Sequence, residues 1–167
     1  MAAMLMGAWS LQSCDNGSTK EVWLDEFGQD SCYVQDWGML EVNRSVVHTP
    51  LTVNGVVYER GLGAHSISRL LYDLDGKAVS ISGLAGADDK NLFAGKLQFK
   101  ILGDKKELWK SGVMQKGDPV KEFNVNLKGV DKVLLLVEEC GDGIMYDHAD
   151  WLNAVSYTHL TLPTNSL

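Results

Sequence analysis

Two stretches of the chain concentrate side chains able to do polar chemistry. The first is Arg60-Gly-Leu-Gly-Ala-His65-Ser66. Two glycines flank Leu62 and allow close backbone approach, and His65 then offers both a donor and an acceptor from a strand edge. The second runs from Gly141 to Trp151 and sets Tyr146, Asp147, His148, Asp150 and Trp151 almost side by side. Such a mixture suits a pyranose, which presents an apolar C–H face to an aromatic ring and a rim of hydroxyls to fixed donors and acceptors. Trp37 or Trp151 would supply the platform. Asp88, Asp89, Asp147 and Asp150 would accept hydroxyl hydrogens in charge-assisted bonds, and His65 or His148 would serve in either sense.

The same residues have plainer readings. Trp151, followed by Leu152, is equally placed to belong to the core of a last strand. His65 also fits a buried imidazole hydrogen-bonded to backbone, near Asp147 or Asp150. Asp88-Asp89, followed by Lys90-Asn91, also fits a solvated turn. Asp73 and Asp75 before Gly76 do not make an EF-hand loop, because the later Glu is missing.

Hydrolysis is not expected of this set. A glycosidase needs two carboxyls at a defined separation, and Asp147 and Asp150, three positions apart in a loop or strand, fix no such geometry. No Gly-x-Ser-x-Gly or His-Glu-x-x-His string is present. The expectation is a site that binds and does not cleave.

The elements that must carry these residues read as strands. Leu97, Phe99 and Ile101 alternate with Lys96, Gln98 and Lys100, and Phe123, Val125 and Leu127 alternate with Asn124, Asn126 and Lys128. Val133-Leu-Leu-Leu-Val137 is apolar on both faces, as a central strand covered on both sides would be. Asn54-Gly55 suits a tight hairpin turn, and Gly103-Asp-Lys-Lys106 and Asp75-Gly76 separate further strand candidates. The spacing predicts an all-β fold, an antiparallel β-sandwich or jelly roll with minor helix.

Composition agrees. The chain has 167 residues, 45% of them hydrophobic, with five Trp, five Tyr and four Phe. That is enough to bury one core and too aromatic for a disordered tail. Fifteen Lys+Arg against 22 Asp+Glu leave a net charge of −7, which argues against nucleic acid as a partner. The ends differ from the middle. Met1 to Ser13 is uncharged but short for a bilayer span, and Leu11-Gln12-Ser13-Cys14 resembles a bacterial lipobox, although the basic n-region is missing. On that reading residues 1–19 are a truncated lipoprotein-type signal and short linker. Cys14 is then the lipidation site, the only tie to a membrane, and the protein is exported to a bacterial cell surface or periplasm. Cys32 and Cys140 then either pair or remain free thiols. Residues 20–155 are the sandwich. Residues 156–167, ending in an uncharged Tyr157 to Leu167 run, read as an adapter-like, non-native tail on a truncated gene.

One resemblance joins these features. Trp37-Gly38, Pro50-Leu51-Thr52-Val53, Gly61-Leu62-Gly63-Ala64-His65, Tyr72-Asp73-Leu74, Gly86-Ala87-Asp88-Asp89 and Tyr146-Asp147-His148-Ala149-Asp150-Trp151, in that order, are similar to the NPCBM family of carbohydrate-binding modules appended to bacterial glycoside hydrolases. The match covers about Val22 to Val155. The resemblance implies a galactose-binding-like jelly roll, recognition of galactose-type or blood-group-like glycans, a linked glycoside hydrolase domain of α-galactosidase-like type, and often a structural calcium ion. The rival from another class is a cell-surface adhesion sandwich that binds protein.

Overall fold

The computed structural model describes residues 19–27 and 32–159. Cys14 and residues 160–167 lie outside the described residues. Thirteen strands are described: β1 (Thr19–Trp23), β2 (Cys32–Gln35), β3 (Glu41–Val42), β4 (Leu51–Val53), β5 (Val56–Tyr58), β6 (Gly61–His65), β7 (Ser68–Asp73), β8 (Ala78–Ala87), β9 (Leu97–Gly103), β10 (Lys106–Met114), β11 (Lys121–Asn126), β12 (Lys132–Glu139) and β13 (His148–His159). Among the described residues there is one helical turn, α1 (Leu24–Phe27), which follows β1.

Eleven of these strands form two facing antiparallel sheets, and β4 and β5 pair as a separate hairpin. One sheet has the order β11-β8-β13-β6-β3, with β1 also paired to β13; the other runs β10-β9-β12-β7-β2. Alternation put the core where it was expected. Leu97, Phe99, Ile101, Phe123 and Val125 are buried between the sheets, and their polar neighbours face outward. β12 is central, as its apolar run suggested, but Leu134 and Leu136 are only half-buried, so its outer face is not fully covered.

The turns follow their chemistry. Asn54 and Gly55 both have positive φ and close the β4–β5 hairpin. Asp104 and Lys105 do the same between β9 and β10, where Lys106 pairs with Gly103. Asp75-Gly76 is a turn of a different kind, carrying the chain from β7 in one sheet to β8 in the other.

β13 is the spine of its sheet. Along one edge it pairs with β6 through His148–Leu152 and then with β1 through Val155–His159, while β8 runs along the other edge. An irregularity between Leu152 and Val155, with Asn153 at φ 46, separates the two halves. The strand therefore continues past the boundary expected at Val155. Ser156 to His159 are paired into the sheet.

Cys140 carries a free, half-buried thiol. Burial, followed by the charge of Glu139, raises its pKa and leaves it protonated near neutrality.

Candidate sugar-binding site

The site is built on a cross-strand pair. His148, first residue of β13, stands directly opposite His65, last residue of β6, and their rings lie 5.5 Å apart. That register requires β6 to sit close to its neighbours. A Cβ on Gly63 would overlap the carbonyl oxygen of Arg44, and one on Gly61 would overlap that of Trp151. The Gly-Leu-Gly string is thus needed for close approach, as the sequence suggested.

Trp37, in the connection between β2 and β3, completes a trio. Its indole lies 5.8 Å from His148 and nearly parallel to it at 10°, and 5.2 Å from His65. Trp37 is 50% exposed, so its ring reaches solvent while packing on the imidazoles. The three side chains and Ile144, Met145 and Tyr146 from the β12–β13 loop line an open cleft of about 270 Å³. Ile144 and Met145 carried no sequence signal as site residues, since isolated apolar loop residues are ordinary. Only their place beside Trp37 marks them. A larger cavity, about 630 Å³, opens at Phe27, Tyr72 and Lys132, away from these polar groups.

The protonation states follow from burial. His65 Nδ1 contacts the Ser66 carbonyl oxygen, an acceptor, so Nδ1 carries the proton and Nε2 remains an acceptor. Burial lowers the His65 pKa more than the Ser66 carbonyl and Asp36 raise it. Burial also lowers that of His148, and the neighbouring His65 adds to the effect. Both rings are therefore neutral at pH 7. The buried Nδ1 of His148 has no partner, leaving a polar atom beside the cleft that a ligand hydroxyl would satisfy.

Asp147 accepts from Ser66 Oγ at 2.5 Å, and its other oxygen is buried without a donor. Burial raises its pKa from 3.8 to about 6, against the lowering effect of Ser66. Asp147 is fully buried and ties β13 to the end of β6. It supports the imidazole pair from within.

The remaining expected residues lie elsewhere in the fold. Trp151 is 0% exposed and packs edge-on against Phe99 at 5.0 Å and Phe123 at 5.6 Å. It faces the core because β13 alternates, with Ala149 and Trp151 inward and His148 and Asp150 outward. Asp89 caps the β4–β5 turn, accepting from Asn54 N at 3.0 Å and Gly55 N at 2.7 Å. Asp88 is buried and accepts from Lys90 N at 2.6 Å and, at 3.4 Å, from Thr52 N. These two aspartates hold the hairpin onto the outer face of the sheet, over the small core of Leu51, Val53 and Leu152. Asp150 is fully buried beside Asp88, with neither oxygen facing a fixed donor. Burial first, and then the charge of Asp88, raises its pKa well above that of a free carboxyl.

Asp88 and Asp150 are hard oxygen donors of the kind calcium takes, and the unpartnered oxygens of Asp150 fit a cation as well as a proton. Among the described residues no group of three or more His, Cys, Asp or Glu side chains converges. Backbone oxygens and water would have to supply most of the shell.

A two-sheet antiparallel sandwich with an exposed indole over hydrogen-bonding side chains in an open cleft is a non-catalytic carbohydrate-binding module. The chain belongs to the NPCBM/NEW2 domain family, whose sequence profile matches residues 20–156. It is similar to the alpha-1,3-galactosidase B of Akkermansia muciniphila, at 29% identity over 123 residues covering 71% of this chain and 15% of that protein. Among solved structures it is similar to the M60 catalytic domain with CBM51-1 and CBM51-2 from Clostridium perfringens ZmpB, at 28% identity and TM-score 0.75, covering 85% of this chain and 15% of that one. The CBM51 of the Clostridium perfringens GH95 protein, solved with methyl-galactose, superposes with TM-score 0.74 at 24% identity, covering 82% of this chain and 99% of that one. That last likeness is one of fold.

Proposed function

We propose that the Trp37 cleft binds a galactose-type sugar and that the module thereby targets a linked glycoside hydrolase to its glycan. The observation that carries this reading is the half-exposed indole of Trp37 stacked on His148 and adjoining His65. The indole offers an apolar face for the sugar C–H groups, and Nε2 of His65 is an acceptor for a hydroxyl. A sugar contact of this kind is weak alone but raises the local concentration of a tethered catalytic domain at its substrate. Support for the galactose class comes from the named relatives, one an alpha-1,3-galactosidase and one solved with methyl-galactose.

Tryptophan fluorescence during titration with galactose, N-acetylgalactosamine and lactose tests the reading, because Trp37 is far more exposed than the buried Trp151. Saturable change in the wild type, lost in Trp37→Ala and reduced in His65→Ala, is the expected result. Silence across a broad glycan panel, with capture of a protein ligand instead, transfers the domain to the adhesion class.

Asp88 and Asp150 would hold a structural calcium ion, which would neutralise their charge and fasten the β4–β5 hairpin. Cys14 would carry the lipid anchor of an exported protein at the cell surface or in the periplasm. Palmitate-analogue labelling that disappears in Cys14→Ala is the test of the latter.

A further inference from the structure

Beyond the cleft lies apolar surface that a single sugar ring would not cover. Leu92 and Phe93, in the β8–β9 connection, are 73% and 67% exposed, and Met145 is 71% exposed. Phe93 meets Tyr146 edge-on, with ring centroids 5.0 Å apart, and Tyr146 itself lines the cleft. Tyr146 has φ 67, a left-handed conformation uncommon outside glycine, at the point where the loop turns into β13.

The Phe93 loop is anchored. Asn91 is buried and clasps the backbone of His148, accepting from its N at 2.9 Å and donating to its O at 3.0 Å. Lys116 Nζ donates to Asn91 O at 2.7 Å from the other side. Lys96 N donates to Asp142 at 3.1 Å, and Cys140 N to Lys96 O at 2.9 Å, latching this loop to the β12–β13 loop. Exposed aromatic and apolar groups on a fastened loop, continuous with the cleft, form a prearranged surface.

We propose that Phe93, backed by Tyr146 and Met145, is a second platform that takes the next ring of a galactose-terminated oligosaccharide. The proposal rests on the galactose reading of the Trp37 cleft and extends it from one ring to two. A saccharide is the occupant favoured because the patch continues the lining of the cleft through Tyr146. The aromatic face needs only the C–H face of that ring. The patch thereby selects oligosaccharides over free galactose.

Calorimetric titration of the whole chain with methyl galactoside and with a set of galactose-terminated disaccharides differing in linkage tests this. At least one disaccharide is expected to bind about 3- to 10-fold tighter than methyl galactoside, the range an aromatic contact supplies. Phe93→Ala should remove that advantage and leave methyl galactoside binding unchanged, while Phe93→Trp keeps it; melting temperatures of both variants verify folding. If no linkage gains affinity, or if Phe93→Ala weakens methyl galactoside equally, the second platform is overturned while the cleft stands. Loss of neutral lipid-vesicle binding in Phe93→Ala, with no disaccharide advantage, assigns the patch to a bilayer surface and also overturns it. A wild type silent toward every galactose probe removes the galactose reading and this extension with it.

Discussion

Two tryptophans stood equal as sugar platforms at the level of residue type, and their surroundings separate them. Trp37→Ala is expected to abolish sugar binding while changing stability by no more than about 0.5 kcal/mol, since the ring is half exposed. Trp151→Ala should do the reverse, costing on the order of 3–5 kcal/mol by emptying the space between Phe99 and Phe123. Chemical denaturation beside sugar titration distinguishes the two effects. Titration adds a second residue-scale expectation. Asp147 keeps its proton to about 6 in the folded chain but only to 3.8 when unfolded. The folded state thus binds more protons between those values, and this group's contribution falls as pH rises through them, by at most about 3 kcal/mol. Asp147→Asn, which keeps an acceptor for Ser66, should flatten that part of the pH–stability curve. The two imidazoles act oppositely. Their folded pKa values lie below 6.5, so their contribution is whole above 6.5 and is lost as pH falls through the lowered values. Sugar affinity measured across the same range should drop on the acid side, where a charged imidazole loses its acceptor.

Hairpins and strand junctions decide which residues meet. The β4–β5 hairpin pairs only with itself and is attached to the main sheet through the Leu51, Val53 and Leu152 cluster and the two aspartates. Asp89→Ala strips both backbone amides of the Asn54-Gly55 turn of their acceptor and should cost about 1–2 kcal/mol. Hydrogen exchange at those two amides is the direct measurement, and sugar affinity should be unaltered. Gly63→Ala acts on a different junction. Its Cβ would push against the Arg44–Ser45 backbone and displace β3 from β6, which also shifts His65. Lost affinity together with lost stability is the expected signature.

Across the whole molecule, the strand order brings three remote segments to one place. Trp37 follows β2 in one sheet, while His65 closes β6 and His148 opens β13, neighbouring strands of the other sheet. The buried Asp88–Asp150 pair fastens the outer hairpin to the same sheet and is the point where a proton and a cation would compete. If calcium binds there, melting temperature should rise with added calcium, fall with chelator, and lose both responses in Asp150→Asn. Equal melting curves with calcium and chelator would overturn a cation at this pair.

Much of this was legible in the amino-acid order. Period-two alternation at Leu97–Ile101 and Phe123–Leu127 and the Asn54-Gly55 turn determined an antiparallel sandwich, because each depends on contacts within one strand or one turn. The Gly-Leu-Gly-Ala-His and Asp-His-Ala-Asp-Trp strings determined the family. What the chain order left open was which face each side chain takes and what stands across from it. Only the packed sheets put Trp151 in the core, Asp88 and Asp89 under the hairpin, and Trp37 upon His148. A strand flips its side chains at every residue, and partners a hundred residues away meet only once register and sheet order are set.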